Sequence, residues 1–139
     1  MPLIEALCQR LRVPNGLREL AVLGARHHAV VHRASELRPE TMLKLFEATD
    51  AFRRPERFGE LLLICESDAR GRTGLEHKPY PQADYLRRAR DVAAIVQLTA
   101  EDRAGLQGAA IGEKIRAQRL AAITKVKEEF ASRWPKQPR

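Results

Sequence analysis

Apolar residues recur every three or four positions along almost the whole chain. Leu3, Leu7 and Leu11 form the first such stripe, which ends at Val13-Pro14 because a proline disfavours helical geometry in the residue before it. No run of four to eight residues alternates between apolar and polar side chains as a half-buried strand does. The pattern therefore predicts an all-α protein, a bundle of about six helices.

Capping residues and prolines mark the predicted helix boundaries. Asn15 offers an N-cap oxygen to a second helix that runs to about Arg33. Pro39, Pro55 and Pro81 suit the first turn of a helix, and they predict helices that run to about residue 51, residue 70 and residue 96. The segment 73–81 contains two prolines and one glycine without any periodicity, which predicts a loop.

The last part of the chain predicts a short helix followed by a long one. Thr99 is a suitable N-cap, because Glu101 and Asp102 then lie in the first turn, where acidic side chains are favoured. This short segment extends to about residue 107. A long helix begins at about Ala109 and ends at residues 134–135. We expect the residues that follow to form a frayed tail.

Composition describes a folded, basic protein of one domain's length. The 139 residues are 44% apolar and carry a net charge of +7, and residues 71–139 hold 14 basic against 8 acidic side chains. This imbalance favours a polyanionic partner. The two cysteines lack the spacing of a zinc ribbon or redox motif. No apolar segment is long enough to span a membrane, and the N-terminus is unlike a secretory signal, so we expect a cytoplasmic protein without a membrane partner.

Two histidines, His28 and His32, are four residues apart in the second predicted helix. This spacing places both imidazoles on one helix face, within reach of one metal ion. The alternative is a core His28 with a satisfied ring and a surface His32. Glu66 and Asp68 are two residues apart, and a helix points such carboxylates in different directions, so they are poor candidates for a metal dyad. His28 and His32 are therefore the candidate metal ligands.

Two arginines flank a glycine at the end of the fourth predicted helix, in the string Arg70-Gly71-Arg72. Gly71 favours a helix stop. Guanidinium groups on both sides of a turn can clamp a phosphate. The alternative is that these arginines pair with nearby carboxylates such as Glu66 and Asp68 and fix a sharp corner. The sequence leaves both interpretations open.

The last predicted helix is strongly basic. Residues 114–139 carry 8 basic and 2 acidic side chains. A solvated face is the usual explanation for such a run, but the excess also fits binding to RNA phosphates. Few aromatic residues are available to stack on bases, so folded or double-stranded RNA is the favoured form. The candidate RNA contacts are Arg70, Arg72, Lys114, Arg116, Arg119 and Lys125.

Several short strings, spread over nearly the whole chain, carry a family resemblance. The most specific is the segment 68–74 followed by Tyr80-Pro81-Gln82. The others are Arg18-Glu19-Leu20-Ala21, His28-x-x-x-His32, Lys44-Leu45-Phe46, Arg53-Arg54-Pro55-Glu56-Arg57 and Gly108-x-x-Ile111. Together they resemble the C-terminal part of bacterial CCA-adding enzymes, the tRNA nucleotidyltransferases called multifunctional CCA proteins.

The resemblance implies a transferase reaction in tRNA processing, the addition of CCA to tRNA. In that family a head domain uses magnesium with CTP and ATP, and an HD domain binds a transition metal through a His-Asp dyad. Residues 1–52 then correspond to the last helices of an incomplete HD domain, with His28 and His32 at matching positions. Residues 53–139 correspond to the C-terminal helical region. The sequence contains no His-Asp dipeptide and no head motif, so we expect no cofactor in this chain.

The leading hypothesis is a part of a CCA-adding enzyme that contacts tRNA or acts as a scaffold and does not add nucleotides alone. Whether the chain is itself an enzyme stays open. One alternative is a residual metal-dependent phosphohydrolase that uses His28 and His32 with Asp50 or Asp68. Another is a structural helical module that dimerises. An incomplete HD domain would expose apolar surface near the N-terminus, so a second copy or a separate N-terminal head is the expected protein partner.

Overall fold

A computed structural model describes residues 2–12, 14–71, 74 and 76–134. Within these residues the chain forms seven α-helices and one 3-10 turn, without β-strands, which confirms the predicted all-α fold. Seven agrees with the expected number of about six, and the predicted short helix after Thr99 is present at Ala100–Arg103. The helices are α1 (Pro2–Arg10), α2 (Asn15–His32), α3 (Pro39–Ala48), α4 (Pro55–Arg70), α5 (Pro81–Ala94), α6 (Ala100–Arg103) and α7 (Ala109–Phe130).

Most helix starts follow the local signals in the sequence. Pro39, Pro55 and Pro81 occupy the first positions of α3, α4 and α5, where the missing N–H group costs no helical hydrogen bond. Thr99 caps α6 as expected. Its hydroxyl accepts from the backbone N–H of Asp102 at 3.0 Å, and the Asp102 carboxylate accepts from the Thr99 N–H at 3.1 Å. These hydrogen bonds lower the pKa of Asp102.

Several predicted boundaries are wrong: α6 ends at Arg103 instead of about residue 107, and α7 ends at Phe130 instead of residues 134–135. Asn15 is the first residue of α2 rather than its cap, and its side-chain oxygen accepts a hydrogen bond from Arg18 at 2.7 Å. The predicted stop at Gly71 is confirmed, because α4 ends at Arg70 and Gly71 is its C-cap, in a right-handed conformation with a φ of −69°. Helix α3 ends at Ala48, three residues early, because Thr49 and Asp50 reverse the chain there and Asp50 takes a φ of +55°.

The core is built mainly from α3, α4, α5 and α7. Phe46 is fully buried at its centre, with its ring 5.9 Å from that of Phe52 and 5.5 Å from that of Phe58. Because Phe46 and Phe58 stand on opposite sides of the expected boundary at residue 52, one core continues across it. The division into regions 1–52 and 53–139 stays a prediction.

Helix α7 closes the bundle through an aromatic cluster. The Tyr85 ring lies 5.2 Å from Phe130 and 4.9 Å from Trp134, so Trp134 packs against the core as well as following the helix end. Both cysteines, Cys8 and Cys65, are buried and free. None of the helices in the described part of the chain is long and apolar enough to cross a membrane. The expected frayed tail lies outside the described residues.

Candidate nucleic-acid interface

A hydrogen-bonded cluster centred on His32 joins three segments of the fold. His32 is the last residue of α2. Its Nδ1 lies 2.7 Å from the hydroxyl of Tyr80, just before α5, and its Nε2 lies 2.8 Å from Oδ2 of Asp68 on α4. The Gln82 side-chain amide also donates to the His32 carbonyl at 3.1 Å. The cluster therefore fixes the end of α2 against α4 and the start of α5.

The chemistry of these groups sets the direction of the hydrogen bonds around a neutral His32. Because a carboxylate only accepts, the Nε2–H of His32 donates to Asp68, and Nδ1 then accepts from the Tyr80 hydroxyl. Burial raises the pKa of Tyr80 well above its usual range, with further contributions from Cys65, Asp68 and Glu66. The phenol therefore stays protonated and able to donate at neutral pH.

The alternative to a metal site placed His28 in the core and His32 on the surface, and the structure shows the opposite. His28 is exposed, and its Nδ1 lies 3.0 Å from the Gly24 carbonyl and 3.1 Å from the Ala25 carbonyl. His32 is the partly buried one, with a side chain that is 24% exposed. That part of the alternative is wrong. The reason is that α4 and the segment before α5 pack over the end of α2.

The histidines lie close together without forming a complete metal site. Their ring centroids are 5.9 Å apart, but both ring nitrogens of His32 are already hydrogen-bonded. Among the residues that the structure describes, no group of three or more His, Cys, Asp or Glu side chains is placed to hold a metal ion. Asp68 adjoins His32, whereas Asp50 pairs with Arg53. The metal role of His28 and His32 stays a prediction.

A recess of about 260 Å³ opens beside the His32 cluster. At its edge, a terminal nitrogen of Arg70 lies 3.3 Å from the Glu66 carboxylate, and its Nε donates to the Lys78 carbonyl at 3.3 Å. Arg70 thus pairs with a carboxylate, as one of the two interpretations expected, and stays exposed to solvent, whereas the phosphate clamp stays a prediction. Arg72 lies outside the described residues. The recess is lined by His32, Ala69, Arg70, Lys78, Pro79, Tyr80 and Gln82.

Two of the predicted RNA contacts on α7 hold acidic or carbonyl groups of neighbouring segments. The Lys114 ammonium lies 3.6 Å from the Asp102 carboxylate and donates to the Asp102 carbonyl at 3.3 Å. Arg116 pairs with Glu47 of α3 at 3.1 Å. These contacts attach α7 to α6 and α3, so both cations have roles within the fold.

The other two predicted contacts on α7 differ sharply from one another. Arg119 donates from Nε to the Ala93 carbonyl at the end of α5, at 3.2 Å, and its guanidinium lies 4.2 Å above the Phe52 ring. It therefore caps α5 and packs against an aromatic face. Lys125 is exposed, and its ammonium has no partner within the described residues. Of these four side chains, Lys125 is the best placed to meet a phosphate.

Comparison with known proteins finds relatives that are similar to this chain over most of the chain's own length. It is 55% identical over 130 residues to the multifunctional CCA protein of Thioalkalivibrio sulfidiphilus, covering 92% of the chain and 31% of that protein. The chain is homologous to part of the multifunctional CCA proteins. A second such protein, from Nitrosococcus oceani, is 56% identical over 121 residues, covering 87% of the chain and 30% of that protein.

The chain spans about a third of the length of the multifunctional CCA proteins it matches. The predicted resemblance to this family is confirmed, and the partial coverage of both relatives is consistent with the predicted C-terminal part. No family model matches the chain, and no solved structure matches it.

The sequence analysis did not identify Lys78, Tyr80 and Gln82 as residues of the candidate interface, although all three line the recess beside His32. They lie in and after a loop without periodicity, so no helical pattern marked them. The available signal was the string Tyr80-Pro81-Gln82 within the family resemblance. The structure explains that string: Tyr80 and Gln82 both bind His32, while Pro81 starts α5.

Proposed function

We propose that this chain is a helical part of a multifunctional CCA protein that contacts tRNA. The observation that carries the proposal is the identity of 55–56% to two proteins of that name across 87–92% of the chain. The family resemblance implies tRNA as the nucleic acid. The net charge of +7 supplies the long-range attraction that a polyanion requires.

The proposed direct contacts are exposed cations at two places in the fold. Arg70 and Lys78 stand beside the recess at the end of α4, and Lys125 stands on α7. The ammonium groups of Lys78 and Lys125 have no partner within the described residues, so binding a phosphate would break no existing ion pair. Arg70 would share its guanidinium between Glu66 and a phosphate. Arg72 is included on sequence grounds alone.

Lys114, Arg116 and Arg119 would support this interface chiefly by holding α7 in place. Each donates to an acceptor on another segment of the protein. Binding a phosphate directly would compete with those contacts, which lowers the net gain. Their removal would therefore change the stability of the protein and the affinity for RNA together.

A salt series of tRNA affinity tests the proposal. The wild-type chain is compared with an Arg70→Ala/Lys78→Ala variant and with a matched Arg88→Ala/Arg103→Ala variant. Both pairs remove two exposed positive charges, but Arg88 and Arg103 lie on α5 and α6. If both cations of the first pair bind phosphates, the slope of log affinity against log salt falls by about 1.4 to 1.8. The matched variant should keep the wild-type slope.

Two results would contradict this proposal. Absence of tRNA binding at low salt would remove the RNA role from the chain by itself. An equal loss of tRNA affinity in the two double variants would mean that the net charge attracts the RNA, and not the specific positions of Arg70 and Lys78. A single Lys125→Ala variant in the same salt series measures the contribution of α7 separately from that of Arg70 and Lys78. The loss of one phosphate contact should reduce the slope by about 1.

The proximity of His28, His32 and Asp68 supports a second candidate, a residual metal-dependent phosphohydrolase. Metal binding by His32 would require it to release Tyr80 or Asp68. The test is manganese or nickel retained after dialysis, together with hydrolysis of a cyclic phosphate that is lost in His28→Ala. Metal-free protein that shows no turnover after these ions are added back would exclude this activity.

A further inference from the structure

Large apolar side chains are exposed on one group of helices. Leu3, Leu7 and Leu11 follow one another at four-residue spacing along α1 and the turn after it, and they are 87%, 49% and 65% exposed. Leu17, at the start of α2, is 58% exposed. Cys8 is the one buried residue of α1. The leucine stripe that predicted this helix therefore faces outward instead of covering a core.

Helix α4, which packs against α2 as α1 does, exposes two more large apolar side chains. Leu63 is 60% exposed and Ile64 is 37% exposed. Ile64 lies directly against α2, because a Cβ atom on Gly24 would be 3.3 Å from its Cγ2. We call Leu3, Leu7, Leu11, Leu17, Leu63 and Ile64 the apolar face.

The distribution of exposed apolar residues is strongly uneven. Seven large apolar side chains are exposed in the described part of the chain, and all except Ile95 belong to the apolar face. Scattered single residues of this kind are ordinary on a soluble protein, whereas six of seven on three helices that pack together, or on the turn after α1, favour an interaction surface. A protein partner that brings its own apolar residues fits these side chains better than RNA, because the six side chains of the face carry no charge.

We propose that the apolar face docks against the portion of a multifunctional CCA protein that this chain does not span. The matched segment is 31% of one relative and 30% of the other, so more than two thirds of each relative lie outside it. That portion is large enough to cover the face. The inference rests on the proposed function, in which the chain works as part of such a protein.

Hydroxyl-radical footprinting of intact proteins tests this inference. The full-length Nitrosococcus oceani relative is compared with this chain alone, and oxidation is measured by mass spectrometry at the apolar face and at the positions aligned with it. These positions should be oxidised in this chain and lose most of that oxidation in the full-length relative. The position of Ile95, which is 76% exposed, serves as the control and should be oxidised in both.

Paired variants give the second measurement. Leu7→Glu and Leu63→Glu should change the melting temperature of this chain little, because these residues are 49% and 60% exposed. The aligned changes in the full-length relative should lower its melting temperature, whereas the change aligned with Ile95→Glu should not.

Oxidation at the apolar face in both proteins would overturn the inference. The inference would also be overturned if the apolar face of the isolated chain were protected from oxidation and light scattering gave the mass of a dimer. A second copy of the chain would then cover the face. Neither outcome depends on tRNA, so failure here is distinguishable from failure of the proposed function.

Discussion

The substitution Tyr80→Phe isolates the bond that ties the end of α2 to the segment before α5. It removes one hydroxyl group and keeps the ring of a residue that is 7% exposed in the native protein. The lost group donates to Nδ1 of His32 at 2.7 Å. Nδ1 has no second partner within the described residues, so the substitution leaves a partly buried acceptor unsatisfied.

The expected cost follows from the burial of that acceptor. A typical hydrogen bond contributes about 0.5–1.5 kcal/mol, and an unsatisfied buried group costs about 1–3 kcal/mol. The His32 side chain is 24% exposed, so water can partly replace the hydroxyl. We therefore expect the free energy of unfolding to fall by about 1–2 kcal/mol, with a melting temperature lower by roughly 3–8 °C.

Tyr85→Phe is a matched control for this prediction. Tyr85 is equally a buried phenol, but its hydroxyl points to the thioether sulfur of Met42 at 3.4 Å. A thioether is a weak acceptor, so loss of this hydroxyl should cost less than about 0.5 kcal/mol. The comparison removes the general effect of a Tyr-to-Phe change from the result.

Urea denaturation at pH 7.5, followed by circular dichroism, measures the free energies for both variants. A double-mutant cycle with His32→Ala then gives the coupling between Tyr80 and His32, expected at about 1 kcal/mol. A Tyr80→Phe cost no larger than that of Tyr85→Phe would refute the reasoning. A coupling energy near zero would do the same.

Three further predictions concern the core and the helix contacts. Burial, with a smaller contribution from Asp68, raises the pKa of Cys65 from 9.0 to about 11. The buried neutral thiol therefore makes its full contribution to the free energy of unfolding below pH 9, and this contribution is lost as the pH rises through 11. In a plot of the free energy of unfolding against pH, Cys65→Ala should reduce the fall over this range. Arg119→Ala should cost about 1–2 kcal/mol, because it uncaps α5 and removes a cation from the Phe52 ring, whereas Lys125→Ala should stay within about 0.5 kcal/mol in the same urea assay. Phe46→Ala should cost about 3–5 kcal/mol and abolish a cooperative transition if the total stability is lower than that.

Local rules in the sequence account for most of the helices. Pro39, Pro55 and Pro81 begin helices for a reason confined to one residue, the fixed φ and missing N–H of proline. Thr99 and its capping box act over three residues. The all-α fold was predictable because these signals and the helical period act over less than two turns of chain. The prediction that Asn15 caps α2 was wrong because Pro14 occupies the N-cap position.

The charge pattern of the sequence was a poorer guide to surface chemistry. The basic run on α7 fitted either a solvated face or binding to RNA phosphates, yet Lys114, Arg116 and Arg119 each reach an acceptor on another helix. A count of charges along the sequence contains no information about such partners. Arg116 and Glu47, for example, are 69 residues apart in the chain.

The sequence by itself determined the helical class, most helix starts and the family resemblance, since each depends on residue identity at short spacing. Tertiary structure decided which histidine is partly buried and what it binds, because His32 finds Asp68 and Tyr80 at separations of 36 and 48 residues. It also decided that Leu3, Leu7 and Leu11 face solvent. Helical periodicity shows that a helix has an apolar side, but only the packing of the other helices determines whether that side is covered.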